Sequence, residues 1–337
     1  MTTIYVTSLS QRAGSTAVAA SLAAHKASQG GTAGYFKPVT LSDGASDGDA
    51  AFVKEAIPLS ESPTQIAPHT ATADALAGGL GAARETIAQA WGQVKAGKDA
   101  IAVDGLPAAG DLGTASAELA NLLDGTVVGV VRYQRGMDAA EAQTLKERFG
   151  NRLAGVILNS VPSVSQRAAR EATTPAFEHT GVRVLGVIPE DRSLLGFTVR
   201  DVSRRLGGTI QNSADRSEEI IEHLLVGANV VDSSQFYYER FNNKALITRA
   251  DRPDLQWNAI DERTRCLILT GEAAPIAYVV DKATHAEVPV VTVPSNTLDT
   301  IDAIEGFIST PTFHHLRKLE RFTELLRQHV DLSALGW

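Results

Sequence analysis

Short apolar, β-branched runs alternate along this chain with longer stretches of mixed polarity. Ile4 to Thr7 is the first such run. A polar turn with a glycine follows from Ser8 to Gly14, and the alanine-rich stretch from Ser15 to about Gln29 predicts a helix that Gly30 and Gly31 close. Residues 34–39 start a second strand. Strand, loop, helix and strand in close succession form a βαβ unit, which implies parallel pairing. The pattern continues with apolar runs at 100–103, 127–131, 153–158 and 182–188, separated by helical stretches such as 138–149 and 166–180. Runs apolar on both faces suit a parallel sheet buried beneath helices. Residues 41–72 are polar and rich in Gly, Ser and Pro, and read as loops around one short helix.

After Val199 the character changes, and Gly207-Gly208 reads as a domain boundary. A second α/β unit is expected beyond it, with a helix at about 217–225 and strands at 245–248, 266–270 and 288–293. A last amphipathic helix at about 312–330 carries Leu316, Leu319, Phe322, Leu325 and Leu326 at helical spacing. That stripe either docks on the body or meets a partner. The expected division is therefore a P-loop-type domain over 1–206, a smaller α/β domain over 207–310 and a C-terminal helix over 311–337.

Composition changes this picture little. Hydrophobic residues make up 44% and charged residues 21%, which argues against disorder. The net charge of −8 does not favour nucleic acid or an anionic membrane. One cysteine, Cys266, excludes an intramolecular disulfide, and its apolar surroundings suit a buried thiol. No apolar run approaches the ~20 residues that span a bilayer. The first residues lack the charged and apolar regions of a signal peptide. A cytoplasmic location is the expectation.

Candidate chemistry lies in the turn Ser8-Leu-Ser-Gln-Arg-Ala-Gly-Ser-Thr16. A P-loop needs Gly-Lys-Ser/Thr where loop becomes helix: backbone N–H groups cradle phosphates, the lysine neutralises them, and the hydroxyl binds Mg²⁺. Gly14 and Thr16 are in place, and Ser15 stands where the lysine belongs. Losing that charge removes on the order of 1.5–3 kcal/mol of ground-state binding. Arg12 is near enough to compensate. The loop is thus a vestige, a non-hydrolytic binding site or an active phosphate-transfer site. Lys37 ends the second strand, Asp47 and Asp49 follow in a Gly-rich loop, and Asp104 ends the strand at 100–103. Carboxyl ends of parallel strands line a ligand crevice, so Asp49 and Asp104 are candidates to hold Mg²⁺ near Thr16.

On residues 5–8, Gly14-Ser-Thr16, Phe36-Lys-Pro-Val39, Val103-Asp-Gly-Leu-Pro107, Gly155-Val-Ile-Leu-Asn159 and Leu185-Gly-Val-Ile-Pro189, the first ~200 residues resemble the dethiobiotin-synthetase-like domain that opens long bacterial phosphate acetyltransferases. In the related synthetase the lysine before the Thr16 position binds ATP and the Lys37 position holds the substrate carbamate. Acidic groups at the Asp49 and Asp104 positions bind Mg²⁺, and the Asn159 position contacts adenine. This chain departs at Ser15, and has Asp104 where the synthetase usually has Glu.

Residues 210–310 resemble the DRTGG domain of the same enzymes. Ala245-Leu-Ile-Thr-Arg-Ala-Asp-Arg-Pro-Asp254, Leu267-Ile-Leu-Thr-Gly271 and residues 288–300 carry the match, except that Glu272 replaces a glycine. Asp251-Arg252 is either an ion pair bracing a loop or, with Gly271 and Thr297, part of a small anion or nucleotide site. Pro253 fixes the turn, and Asp254 suits a helix cap.

In that family the acyl-transfer site belongs to a separate C-terminal domain, for which these two domains leave no room. The resemblance thus implies a regulatory and oligomerisation module that senses nucleotides, NADH or pyruvate. Its partners would be a phosphate acetyltransferase catalytic domain or subunit and further copies of itself. ATP or another nucleotide with Mg²⁺ is the implied cofactor. The alternatives are an ATP/Mg²⁺-dependent enzyme of the dethiobiotin synthetase kind and a nucleotide sensor that binds through the second domain.

Overall fold

The computed structural model describes residues 1–42, 48–227, 236–271, 273–308 and 312–337. They form two compact units, one of residues 1–190 with 313–337 and the other of residues 191–312.

The first unit is built on six parallel strands: β1 (Thr2–Ser8), β2 (Ala33–Phe36), β3 (Ala100–Asp104), β4 (Thr126–Arg132), β5 (Leu153–Val161) and β6 (Val184–Pro189). Their order is β2-β3-β1-β4-β5-β6. Helices α1 (Ser15–Ser28), α2 (Asp49–Ala56), α3 (Ala83–Val94), α4 (Leu112–Leu122) and α5 (Ala140–Phe149) connect them. β1 is the centre because Ile4, Tyr5 and Val6 are wholly buried between neighbours on both sides. The chain moves outward from β1 to β2, returns to β3, then crosses to β4. That reversal beside β1 leaves a crevice at the carboxyl ends of the strands. The stretch expected to be one helix over 166–180 is interrupted by a π-helical turn at Ala169–Thr173, just before Pro175, whose missing N–H cannot continue the ladder.

The second unit holds helix α6 (Val199–Arg205) and a five-stranded sheet of β7 (Thr209–Ile210), β8 (His223–Val226), β9 (Lys244–Arg249), β10 (Thr264–Thr270) and β11 (Val290–Val293). The order is β7-β11-β10-β9-β8, parallel except at β7. Helices α7 (Pro253–Ala259), α8 (Ala277–His285) and α9 (Thr297–Ile308) complete it. Cys266 on β10 is fully buried, and burial pushes its thiol pKa up.

Further expectations differ from this arrangement. Residues 41–72, read as loops around one short helix, hold a second short helix at Pro63–Ile66, whose Ser62 cap and Pro63 start it, and Thr40–Leu41 pairs with Thr70–Ala71. Residues 217–225 are not a helix: Ile220–Ile221 pairs with Phe197–Thr198, and β8 pairs with β9, so sheet pairing overrides local preference. Residues 191–206, counted with the first domain from sequence, belong to the second unit, because Val199 and Val202 share a core with Ala245, Ile247, Cys266 and Val291.

The last helix, α10 (Leu316–His329), belongs to the first unit and lies against α1 and β6. Leu319, Phe322, Leu325 and Leu326 are buried, whereas Leu316 is exposed. Asp331 N donates to Leu185 O at 2.8 Å, and Trp337 Nε1 donates to Leu22 O at 3.0 Å.

Candidate functional site

The loop between β1 and α1 takes its path from two backbone positions. Gly14, at φ 101°, is the N-cap of α1, and Arg12 also adopts a left-handed φ, at 57°. A side chain at Gly14 would be strained and would strike the Asn159 amide. Asn159, at the end of β5, is buried there and donates from Nδ2 to Ala13 O at 2.8 Å. There it bonds the loop, and it is not among the residues that line the cleft. The first turn of α1 presents N–H groups without intrahelical partners, the feature that makes a helix N-terminus attract anions.

Four predicted residues meet beside that turn. Thr16 Oγ1 donates to Asp104 Oδ2 at 2.9 Å and lies 3.4 Å from Asp49 Oδ2. Lys37 Nζ pairs with Asp49 Oδ2 and lies 3.3 Å from Asp104 Oδ2. Asp104 also accepts from the Tyr35 hydroxyl at 3.0 Å. Burial raises the Asp104 pKa, Lys37 opposes that shift, and the Asp49 charge adds to it. Asp47 lies outside the described residues.

These oxygens have a spacing that suits a small cation. Two oxygens in adjacent octahedral positions at ~2.1 Å from Mg²⁺ stand ~3.0 Å apart. The Thr16–Asp104 and Thr16–Asp49 separations of 2.9 and 3.4 Å are close to that edge. No group of three or more His, Cys, Asp or Glu is gathered as a metal site among the described residues. A cation here would take two carboxylates and one hydroxyl, with water and phosphate supplying the rest, as Mg²⁺ prefers.

A cleft of about 320 Å³ opens beside the cluster. Its polar side includes Ser10, Arg12, Ser15, Thr16, Lys37 and Asp104, and its apolar side includes Val39, Leu41, Leu106 and Leu112. Arg132, at the end of β4, donates to Arg12 O at 3.5 Å and brings a second guanidinium to the loop.

Sequence reasoning missed Tyr35, Arg132 and His314. Tyr35 lies two residues before Lys37 on an extended segment, which places both on one side and was a usable signal. His314 Nε2 donates to Asp49 Oδ1 at 2.5 Å across 265 residues, a contact no local pattern announces.

In the second unit the candidate residues stand at neighbouring strand ends; Asp251 and Arg252 have partners close in sequence, whereas Gly271 and Thr297 bond across to the next strand end. Asp251 pairs with Arg249, not with Arg252. Arg252 pairs with Asp254 at 2.7 Å and is the N-cap residue of α7, with Asp254 in its first turn. That hydrogen bond holds the Asp254 pKa below the usual carboxylate range. Gly271 N donates to Ser295 O at 3.0 Å, and Thr297 Oγ1 lies 2.8 Å from Thr270 Oγ1. Glu272 lies outside the described residues. No helix among the described residues is long and apolar enough to cross a membrane.

Comparison with known proteins adds the following. Residues 2–196 match the family described as AAA domain, and residues 201–307 match the DRTGG domain. The phosphate acetyltransferase of Nitratidesulfovibrio vulgaris is 24% identical over 160 residues, 44% of this chain and 22% of that protein. The phosphate acetyltransferase of Deinococcus radiodurans is 26% identical over 245 residues, 66% of this chain and 34% of that protein. The matches thus span from about a fifth to a third of these relatives' length. Among solved structures, the CBS and DRTGG domains of the regulatory region of Clostridium perfringens pyrophosphatase, complexed with the activator diadenosine tetraphosphate, align at 14% identity. That alignment covers 43% of this chain and 71% of the other, with a TM-score of 0.29. The MinC:MinD cell division complex of Aquifex aeolicus aligns at 13% identity over 58% of this chain and 84% of the other, with a TM-score of 0.38. Likenesses of that strength carry no functional inference.

Proposed function

The chain belongs to the AAA domain family, and from its similarity to phosphate acetyltransferases and its DRTGG match we propose that it is a regulatory module related to phosphate acetyltransferase, whose first unit binds a nucleotide with Mg²⁺ without transferring its phosphoryl group. One observation carries the reading: Thr16, Asp49 and Asp104 converge beside a P-loop turn in which Ser15 takes the lysine position. Binding needs donors and a cation, which the turn and the cluster supply. Transfer also needs charge placed on the moving phosphoryl group, and the residue best placed to give it is absent.

Thr16, Asp49 and Asp104 would hold the cation, whose charge would offset that of the phosphates. Lys37 pairs with Asp49 and lies beside Asp104. Lys37 and Arg12 both line the cleft, where each brings a positive charge to an anion bound there. Arg252 with Gly271 and Thr297 is a second candidate anion site, at the strand ends of the DRTGG unit. A catalytic domain or subunit that interconverts acetyl-CoA plus phosphate and acetyl phosphate plus CoA is the proposed partner. Self-association, a metabolite effector and a cytoplasmic location belong to the same proposal.

The test is to add the purified chain to the cognate acetyltransferase catalytic domain and follow acetyl phosphate formation with and without ADP, ATP, NADH and pyruvate. Association together with a nucleotide-dependent change in rate supports the reading; no association and no change in rate sinks it. The survival of Thr16, Lys37, Asp49 and Asp104 in one cluster favours a second reading, an ATP-dependent ligase of the dethiobiotin synthetase kind. Mg²⁺-dependent ATP turnover that Thr16→Ala abolishes would support it. A flat baseline across a panel of carboxylates would remove it.

A further inference from the structure

We propose that His314 is a positioning residue for Asp49, so that the C-terminal segment of the chain completes the cation site of the first unit; the proposal rests on the cation–nucleotide reading above.

Asp49 is the first residue of α2, and its two carboxylate oxygens have separate duties. Oδ2 faces Thr16 and Lys37, the side on which a cation would sit. Oδ1 accepts from His314 Nε2 at 2.5 Å. A carboxylate held at one oxygen cannot rotate away from the partner of the other. Carboxylates that ligate metals are usually fixed in this way by an outer hydrogen bond.

The imidazole is itself held in place. A Cβ on Gly48 would come within 3.2 Å of the His314 ring, so the glycine makes room for it. The Phe52 ring lies against His314 with centroids 5.4 Å apart, which places the imidazole over the opening turn of α2. Phe313 meets Phe52 at 6.1 Å and Phe322 of α10 at 6.0 Å. The donor is therefore anchored through an aromatic chain to the helix that lies on α1. All of these residues belong to the first unit, although residues 191–312 separate Phe313 and His314 from the rest of it in sequence.

A packing role and a positioning role make different predictions. His314→Phe and His314→Leu delete the donor with different shapes left behind, and His314→Gln restores a donor at similar reach. The probe is Mn²⁺ titrated into the full chain in the presence of ADP, with free Mn²⁺ followed by electron paramagnetic resonance and the fold by thermal melting. Loss of an outer-sphere partner typically weakens metal affinity about 10–100-fold. The expected result is at least a tenfold loss in a folded donor-free variant and near-wild-type affinity in His314→Gln. Unchanged affinity in a folded donor-free variant would overturn the proposal alone. So would a glutamine variant as weak as the donor-free ones, or a failure of every variant to fold. Absence of Mn²⁺ binding by the wild-type chain would overturn the cation–nucleotide reading as well.

Discussion

Lys37 Nζ lies 3.3 Å from Asp104 Oδ2 and pairs at the same time with Asp49, so an ammonium occupies the place between the two carboxylates where a divalent cation would sit. Lysine and cation are then competitors. Removing the lysine takes a cationic partner from a largely buried carboxylate pair. Lys37→Gln is expected to cost roughly 2 kcal/mol in metal-free buffer, below the usual 3–5 kcal/mol for breaking a buried pair because Asp104 can take a proton. Thermal melts with EDTA and with millimolar Mg²⁺ check this. Mg²⁺ should raise the melting temperature of the variant more than that of the wild type, and equal shifts would contradict the competition.

Ser15 lines the cleft at the first position of α1, the place from which a lysine reaches phosphate oxygens. Ser15→Lys should tighten ADP binding tenfold or more, the equivalent of the ~1.5–3 kcal/mol of a hydrogen bond to a charged group. Calorimetry reads it directly. Unchanged affinity would mean that the loop does not meet phosphate.

Gly14 and Asn159 form a tight pair in which the glycine conformation and the amide position depend on each other. Gly14→Ala should destabilise by at least about 1–2 kcal/mol from its left-handed φ alone, with the clash in addition. Asn159→Ala leaves the Ala13 carbonyl without that donor and should cost about 1–3 kcal/mol. Because the clash needs both groups, the double variant should lose less than the sum in a denaturation cycle. Simple additivity would contradict the contact.

His25 lies on the buried face of α1, and burial, then the charges of Arg327 and Lys26, lower its pKa. A base with a lowered folded pKa binds fewer protons folded than unfolded, so stability falls as pH drops below the unfolded value of about 6.5 and levels off below the folded value. His223 and His329 are lowered too, chiefly by burial. Urea denaturation at pH 7.5 and 5.5 should show a loss on the acid side that His25→Asn reduces. An equal acid loss in the variant would exclude His25 as a contributor.

Much of the fold is legible because strands such as β1 and β4 are apolar on both faces and alternate with helical stretches, a combination that suits a parallel sheet covered on both sides. Residues 217–225 mislead because Ile220, Ile221, Leu224 and Leu225 also fit one side of a helix. Only their pairing with Phe197–Thr198 and with β9 decides the matter. In the site, Thr16, Lys37 and Asp104 could be foreseen together because each follows or ends a strand on the same edge of the sheet. Asp49 was less determined, since it opens a helix rather than ending a strand of the sheet. His314 was not foreseeable, because its place depends on how the chain returns to the first unit after residue 312.

The most direct test of the central claim is calorimetric titration of ADP into the full chain, with Mg²⁺ and with EDTA, for the wild type, Thr16→Ala and Asp104→Asn. Binding that requires Mg²⁺ in the wild type and is lost in both variants is the predicted result. No binding to the wild type, or binding indifferent to Mg²⁺ and to both substitutions, would contradict the assignment of this cleft as a cation-assisted nucleotide site.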